Sequence, residues 1–257
     1  MSQKTLIITR PVAQAHAFAE RMRVAGREVE IFPLLEIQPL DDNSEVARVV
    51  ANLNRFSMVA FVSPNAISAF FQHIKVWPKA IPIAVVGEGS RKALEAFGLN
   101  RDTATIISPG NLMKTDSETL LDEIDCDSLA GKTVLIVRAT SGREFLADAL
   151  RSKAIAVEQL AVYRRTAPDL TPDKQRRLEA ILSADCDWVI SSSEALRTLD
   201  HWCRLSNDPE CVVKMQRQSI YVPHIRIAQT AESLGFVSIT LTASGDEHMF
   251  VALQSQV

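Results

Sequence analysis

The chain has 257 residues, of which 47% are hydrophobic and 23% are charged, a composition typical of a folded globular protein. Its formal net charge of −3, with basic residues dispersed along the chain, excludes bulk electrostatic attraction to nucleic acid or to an anionic membrane. No apolar run approaches the roughly 20 residues that span a bilayer, and the first apolar stretch is too short for a secretory signal. We therefore expect a cytoplasmic protein that binds no nucleic acid and no membrane.

Ten short runs of apolar and β-branched residues predict strands along the chain. They lie at 5–9, 29–37, 58–63, 83–87, 104–108, 134–138, 157–163, 188–191, 220–222 and 238–241. The segments between them have the spacing of helices that bury one face. Two such stripes are Ala15, Phe18, Ala19, Met22 and Val46, Val49, Val50, Leu53. Regular alternation of strand and helix predicts parallel sheets built from βαβ units.

The cysteines and histidines indicate neither a metal site nor a disulfide framework. Cys126, Cys186, Cys203 and Cys211 show no CxxC spacing, and the five histidines include no HExxH pair. We expect reduced, structural thiols and no bound metal.

The second half of the chain repeats the pattern of the first. The segment "IITRPVAQAHAFAERMRVAGREVEIFPLL" (7–35) aligns without a gap with "LIVRATSGREFLADALRSKAIAVEQLAVY" (135–163), 128 residues later. Nearly the same offset brings "VAFVSPNAI" (59–67) onto "WVISSSEAL" (188–196). The chain is therefore predicted to contain two copies of one α/β unit, with two sheets of five strands each.

Two stretches rich in proline and aspartate, 33–42 and 163–173, are predicted to be crossings between the domains. The first domain is then discontinuous and contains both termini, residues 1–35 and 168–257, and the second consists of residues 40–165. A plain division near residue 128 is the alternative.

Five loops that follow predicted strands carry small or polar residues. They are "RPVAQ" (10–14), "SPNA" (63–66), "GEGS" (87–90), "TSGR" (140–143) and "SSSEA" (191–195). Ligands of open parallel sheets lie beyond the carboxyl ends of the strands, where helix amino termini suit a carboxylate or a phosphate. No loop matches GxGxxG or GxxxxGK[ST], so a nucleotide site is not indicated. Helix capping explains each loop taken singly.

Several residues of these loops are candidates for ligand binding. They are Ser63, Pro64, Asn65, Gly87, Thr140, Ser141, Gly142, Ser192 and Ser193. Arg10, Arg138 and Arg143 lie at or just past strand ends, where guanidinium groups can contact carboxylates at two points; a surface position or an interdomain salt bridge explains each equally well. Tyr163 closes a predicted strand, and a tyrosine there is more often packed than catalytic.

Six segments of the chain form a recognisable set. They are "ITRP" (8–11), "FVSPNAI" (61–67), "AVVGEGSRKAL" (84–94), "DSETLL" (116–121), "VLIVRATSGREFLADAL" (134–150) and "VEQLAVYRR" (157–165). In content and order they resemble the uroporphyrinogen-III synthase family, enzymes of haem and sirohaem biosynthesis, over essentially the whole chain. The resemblance implies two similar α/β domains, each a parallel sheet of about five strands flanked by helices. A two-stranded connector, here residues 36–39 and 163–168, would join them.

The resemblance also implies a reaction. It is the cofactor-free closure of hydroxymethylbilane, a linear tetrapyrrole with eight carboxylates, to uroporphyrinogen III with loss of water and inversion of the last ring. Tyr163 would help the terminal hydroxyl to depart, and loop amides with a few arginines would hold the carboxylates. We expect a monomer that closes around its substrate at a hinge and makes at most a transient contact with the preceding pathway enzyme.

Two departures from the family pattern limit these expectations. Val62 stands where the family often has threonine, and "VPHIRIA" (222–228) replaces a turn rich in glycine and threonine. Ligand contacts of residues 222–226 are therefore not predicted. The alternative function is that of a non-catalytic two-domain cytoplasmic module that binds a polycarboxylate or a tetrapyrrole.

Overall fold

Backbone contacts divide the chain into two α/β units. The computed structural model describes residues 4–110 and 116–255. Unit 1 comprises Met1–Glu36 and Thr166–Val257, and unit 2 comprises Ile37–Arg165. Residues 1–3, 111–115 and 256–257, which the predicted domains include, lie outside the described residues. The predicted fold class, parallel sheets flanked by helices in two α/β units, is confirmed.

The elements of the first part of the chain alternate between strands and helices. They are β1 (Leu6–Ile8), α1 (Val12–Val24), β2 (Val29–Ile31), β3 (Glu36–Gln38), α2 (Ser44–Ala51), a 3-10 turn (Leu53–Arg55), β4 (Met58–Phe61), α3 (Pro64–Phe70), β5 (Ile83–Val85), α4 (Glu88–Glu95) and β6 (Ile106–Ile107).

The second part continues in the same manner. Its elements are α5 (Ser117–Glu123), α6 (Cys126–Leu129), β7 (Thr133–Ala139), α7 (Phe145–Ser152), β8 (Ala156–Thr166), α8 (Pro172–Ser183), β9 (Asp187–Val189), α9 (Ser193–Leu205), α10 (Cys211–Arg217), β10 (Ser219–Val222), α11 (Ile225–Ser233), β11 (Ser238–Leu241) and α12 (Asp246–Gln254). Within the described ranges, no helix combines the length and the apolar character needed to cross a bilayer.

The strand order of unit 2 repeats that of unit 1. Unit 1 has the parallel order β11-β10-β9-β1-β2, and unit 2 has the order β3-β8-β7-β4-β5-β6. Reading unit 2 from β6 to β8 therefore gives the equivalents of β11 to β2. The registers agree as well: Leu6 lies opposite Val29 and Asp187, and Val134 lies opposite Val157 and Met58. The predicted repeat is thus also a repeat of topology and register.

The prediction of two five-stranded sheets is wrong by one strand. The sheet of unit 2 has six strands, because β3 is added at its edge. Residues 29–37, predicted as a single strand, form β2 and β3 in different sheets. Pro33 lies between them but does not end the pairing with the β1 segment, since Leu34 N–H donates to the Thr9 carbonyl at 3.1 Å; the chain then crosses to the other sheet, where β3 pairs with β8. The last backbone bond before the proline joins Phe32 N–H to the Ile8 carbonyl at 3.0 Å.

The chain passes between the units at two neighbouring strands. It leaves unit 1 within β3 and returns at the end of β8, and these two strands are hydrogen-bonded neighbours in one sheet. The segments predicted as a connector, 36–39 and 163–168, contain β3 and the end of β8.

Each sheet has a switch point, a pair of adjacent strands from which the chain continues toward opposite edges of the sheet. It lies between β1 and β9 in unit 1 and between β4 and β7 in unit 2. Ligands of open parallel sheets bind beyond the carboxyl ends of the strands at such a point. The fold therefore favours four of the five predicted loops, those after β1, β4, β7 and β9.

Burial confirms the helical stripe predicted for α1. Ala15, Phe18, Ala19 and Met22 are each at most 1% exposed. Burying a side chain of the size of Phe18 or Met22 contributes about 1.5–3 kcal/mol of hydrophobic free energy. In the second stripe, Leu53 is buried in the 3-10 turn after α2 rather than in the helix itself.

Candidate functional site

Ser63 and Tyr163 meet at the carboxyl end of β4, beside the switch point of unit 2. Ser63 Oγ accepts the N–H of Ala66 at 3.1 Å and so caps α3, and it lies 3.0 Å from Tyr163 Oη. Pro64, the first residue of α3, is exposed, and Asn65 is half-buried. The hydroxyl group of the loop after β4 and that of a β8 residue are thus in hydrogen-bond contact.

A bulge in β8 turns Tyr163 toward Ser63. The register passes directly from Arg138 opposite Ala161 to Ala139 opposite Tyr163, which leaves Val162 as an extra residue. In a regular strand Val162 and Tyr163 would point to opposite faces, but the bulge places both in the same hydrophobic core. The Tyr163 side chain is consequently only 4% exposed.

Arg138 lies on the opposite face of the sheet and holds the loop that follows β7. The residue is 8% exposed, and its Nη1 donates to the side-chain oxygens of Glu144 and Gln159. The hydrogen bonds from Gln159 and Arg138 lower the pKa of the Glu144 carboxyl. A Cβ atom at Gly142 would lie 3.1 Å from Arg138 Nη2, and the φ of Gly142 is +149°, so only glycine fits here without strain.

The loop between β7 and α7 presents its side chains to solvent. Its exposed candidates are Thr140, Ser141, Gly142 and Arg143. The helix begins at Phe145, and no side chain caps it. Arg143 instead forms a two-point ion pair with Glu118 of α5, with Nη1–Oε2 at 2.9 Å, and this pairing lowers the pKa of the Glu118 carboxyl.

In unit 1 the equivalent edge carries serine and threonine hydroxyl groups. Ser192 Oγ accepts the N–H of Glu194 at 3.1 Å and caps α9. Ser193 Oγ accepts a hydrogen bond from Thr230 of α11, with the two oxygens 2.9 Å apart. Both predicted serines therefore lie at the switch point of unit 1.

All three predicted arginines form ion pairs inside their own unit. Arg10 Nη1 lies 2.6 Å from Asp246 Oδ1 at the start of α12, and Arg138 and Arg143 pair with the glutamates of unit 2 described above. Each of these salt bridges therefore lies within one unit, and each guanidinium has a carboxylate partner.

Helix capping explains the polar residues of some of the predicted loops but not of all. Serine side chains cap α3 and α9, whereas α1, α4 and α7 begin without a side-chain cap. Gly87 is buried directly before α4 and follows β5, which does not flank the switch point. It is the predicted residue that the fold favours least.

Three residues of these edges were not found by sequence reasoning. Arg165 Nη2 donates to the Ser141 carbonyl at 3.0 Å, and the pair of arginines after Tyr163 was the available signal. Thr230 contacts Ser193 from α11. His224, in the segment without predicted contacts, caps α11, because its Nδ1 accepts the N–H of Arg226 at 3.1 Å.

The described residues include no group of three or more histidine, cysteine, aspartate or glutamate side chains that could hold a metal ion. All four cysteines are free thiols, and Cys186, Cys203 and Cys211 are buried. Burial raises the pKa of Cys186 to about 11, which leaves it almost entirely protonated near neutral pH.

Comparison of the sequence with known proteins identifies one family. The family model described as "Uroporphyrinogen-III synthase HemD" matches residues 16–248. The chain is 29% identical to the uroporphyrinogen-III synthase of Synechococcus elongatus over 208 residues, covering 79% of this chain and 74% of that protein. It is 25% identical to the uroporphyrinogen-III synthase of Escherichia coli over 246 residues, covering 89% and 96%.

Solved structures support the fold. The structure of a mutant uroporphyrinogen III synthase from Thermus thermophilus matches with a TM-score of 0.61 at 14% identity and covers 99% of this chain and 100% of that chain. The enzyme from Helicobacter pylori matches with a TM-score of 0.60 at 16% identity and covers 98% and 100%. Since the family model spans most of the sequence and the curated relatives are enzymes of that name, this chain belongs to the uroporphyrinogen-III synthase family.

Proposed function

We propose that the protein closes hydroxymethylbilane to uroporphyrinogen III, with loss of water and inversion of ring D, and that the chemistry occurs at the carboxyl edge of unit 2. The observation that carries this proposal is the Ser63–Tyr163 hydroxyl pair beside the switch point, in a chain of this family.

Tyr163 is the proposed acid. A phenol can donate a proton or a hydrogen bond to the terminal hydroxyl of the bilane as the carbon–oxygen bond breaks and water leaves. The resulting azafulvene cation is then attacked by the substituted carbon of ring D, and the spiro intermediate rearranges with that ring inverted. Much of the rate would come from holding the bilane so that this attack outruns the simple closure that occurs in water.

The polar loops are proposed to hold the carboxylates of the bilane. Thr140, Ser141 and Gly142 are exposed after β7, and backbone N–H groups at such an edge can bind anions without a large positive net charge. Ser63, Pro64 and Asn65 contribute at β4. The candidates in unit 1 are Arg10, Ser192 and Ser193, and the remaining candidates in unit 2 are Gly87, Arg138 and Arg143.

The arginines are proposed to act with their carboxylate partners in place. Arg138 is buried against Glu144 and Gln159, so its contribution is to shape the loop after β7. Arg143 is the most accessible of the three, and Arg10 and Arg143 are each proposed to offer remaining N–H groups to a bilane carboxylate. We further propose a cytoplasmic monomer that needs no cofactor and makes at most a transient contact with the preceding pathway enzyme.

A coupled assay tests this function directly. Hydroxymethylbilane is unstable, so a hydroxymethylbilane-producing enzyme generates it in the presence of the purified protein, and the oxidised products are separated by isomer. We expect type III uroporphyrin to predominate, whereas the same mixture with heat-denatured protein gives type I. An unchanged type I fraction would show that the protein is not this enzyme, and saturable tetrapyrrole binding without turnover would then support the non-catalytic alternative.

A further inference from the structure

Either hydroxyl group can donate the hydrogen bond between Ser63 and Tyr163, and the direction decides where the phenolic proton points. A serine hydroxyl donates one hydrogen bond and accepts up to two. Ser63 Oγ already accepts the N–H of Ala66 at 3.1 Å, which leaves its single proton available to the Tyr163 oxygen 3.0 Å away. If Ser63 donates, the phenolic proton of Tyr163 remains free for another acceptor.

We propose that Ser63 is a positioning residue that donates its hydroxyl proton to Tyr163 Oη and thereby directs the phenolic proton of Tyr163 toward the departing hydroxyl of the substrate. This inference rests on the proposed function and deepens it, because it assigns the Ser63 hydroxyl to the orientation of the acid, in addition to the contribution of the 63–65 loop to carboxylate binding. A hydrogen bond donated to the phenol oxygen also stabilises the negative charge that develops there as the proton is transferred.

The packing around the pair fits this role. The Tyr163 ring is held in the core of unit 2 by the bulge in β8, so its hydroxyl has little freedom to move away from Ser63. Ser63 is in turn fixed by its capping bond at the start of α3. Tyr163 Oη is therefore held between the buried end of β8 and the capped start of α3.

Three substitutions of Ser63 separate donation from helix capping. Ser63→Thr keeps the donor and the cap, Ser63→Asp keeps a capping acceptor but cannot donate when ionised, and Ser63→Ala loses both. We expect Ser63→Ala and Ser63→Asp to lower kcat by about 10- to 100-fold, the size of a hydrogen bond to a developing charge, and Ser63→Thr to restore most of it. KM should change less than kcat, because the interaction strengthens only in the transition state.

A matched control removes a cap elsewhere in the same unit. Asp125 Oδ1 accepts the N–H of Ser128 at 3.1 Å and caps α6, which precedes the amino end of β7. Asp125→Ala should lower the thermal midpoint about as much as Ser63→Ala and leave turnover unchanged. Equal losses of turnover in the two variants would overturn the proposal, since they would reflect the lost cap.

A double-mutant cycle and a spectroscopic signal complete the test. In the Tyr163→Phe background, Ser63→Ala should cost less than about twofold, because residues that act through one another are not additive. The chain has two tyrosines, so ¹³Cζ labelling gives a resonance for Tyr163 and an internal reference from Tyr221. The Tyr163 resonance should move in Ser63→Ala and stay near its original position in Ser63→Thr.

The outcomes distinguish this inference from the proposed function. Inactive wild-type protein would remove the proposed function and the inference with it. In an active protein, independent losses from Ser63→Ala and Tyr163→Phe, or an unmoved Tyr163 resonance, would overturn the role of Ser63 alone.

Discussion

The two units share strand order and register but differ at the amino ends of their sheets. In unit 1 Arg27 and Asp187 form a buried ion pair with Nη2–Oδ2 at 2.7 Å. The shared register places Ile155 and Met58 at the equivalent positions of unit 2, and both belong to one hydrophobic core. The same backbone arrangement thus accepts an ion pair or two apolar side chains at this edge.

The carboxyl ends differ in a way that bears on chemistry. Ser192 and Ser63 occupy equivalent positions, and each caps the following helix. The repeat places Leu35 of unit 1 opposite Tyr163 of unit 2, so the serine of unit 1 has no phenol at the corresponding place. The scaffold is shared by the two units, while the proposed acid belongs to unit 2 alone.

The largest predicted effect concerns the buried ion pair. Asp187→Ala should destabilise the protein by about 3–5 kcal/mol, because it leaves the guanidinium of Arg27 buried without its carboxylate. Urea denaturation followed by tryptophan fluorescence measures the loss. The double substitution Arg27→Met with Asp187→Leu should recover most of it, since unit 2 is apolar at the same place. A double variant no more stable than Asp187→Ala would show that the two edges are not interchangeable.

The second prediction tests the difference at the carboxyl ends. Tyr163→Phe should lower turnover by about 100-fold, the lower end of the contribution of a general acid, and leave the far-ultraviolet circular dichroism unchanged. Tyr221→Phe is the matched control, because Tyr221 is buried in the core of unit 1 and is 1% exposed. Activity of Tyr163→Phe within about twofold of the control would remove Tyr163 from the mechanism.

The third prediction concerns the loop after β7. Gly142→Ala should cost about 1–2 kcal/mol, because alanine is strained at a φ of +149° and its Cβ would press on Arg138. Gly26→Ala in unit 1, with a φ of +87° and no atom within 4 Å of the added Cβ, should show the strain alone. KM for the bilane should rise in Gly142→Ala and not in Gly26→Ala. Equal KM values in Gly142→Ala and Gly26→Ala would show that the shape of the loop after β7 does not affect binding of the bilane.

The smallest prediction is a pH dependence. Arg143 lowers the pKa of Glu118 in the folded state, so this pair stabilises unit 2 above the unfolded value of about 4.3 and ceases to do so as the pH falls through the folded value. Both side chains are more than one-third exposed, so the contribution is a few tenths of a kcal/mol. Glu118→Gln should therefore narrow the difference between urea midpoints measured at about pH 6 and about pH 3. An unchanged difference would show that the pair has no effect in solution.

Local patterns in the sequence predicted the features that depend on local chemistry. The helical stripe of Phe18 and Met22, the positions of Ser63 and Ser192 at helix starts, and the two-fold repeat all follow from spacing and residue type. The split of residues 29–37 into β2 and β3 was missed because the segment is continuously apolar, and only pairing with distant strands places its two ends in different sheets.

The bulge at Val162 and the partners of the arginines depend on pairing with distant segments. One extra residue in β8 decides which face Tyr163 occupies, and no local pattern marks it. Arg138 is paired with Gln159 of the neighbouring strand, and Arg10 with Asp246 of the last helix, so their partners could be identified only once the fold was known.

The most direct test of the account is a map of the ligand on the backbone. The amide resonances of isotope-labelled protein would be followed as uroporphyrinogen III is added under nitrogen. We predict shifts concentrated after β1, β4, β7 and β9, at residues 10–14, 63–66, 140–144 and 191–195, with those near Ser63 and Thr140 prominent. Shifts concentrated instead in the polar groove lined by Lys79, Arg101 and Thr105, before the amino ends of β5 and β6, would contradict a site at the switch points.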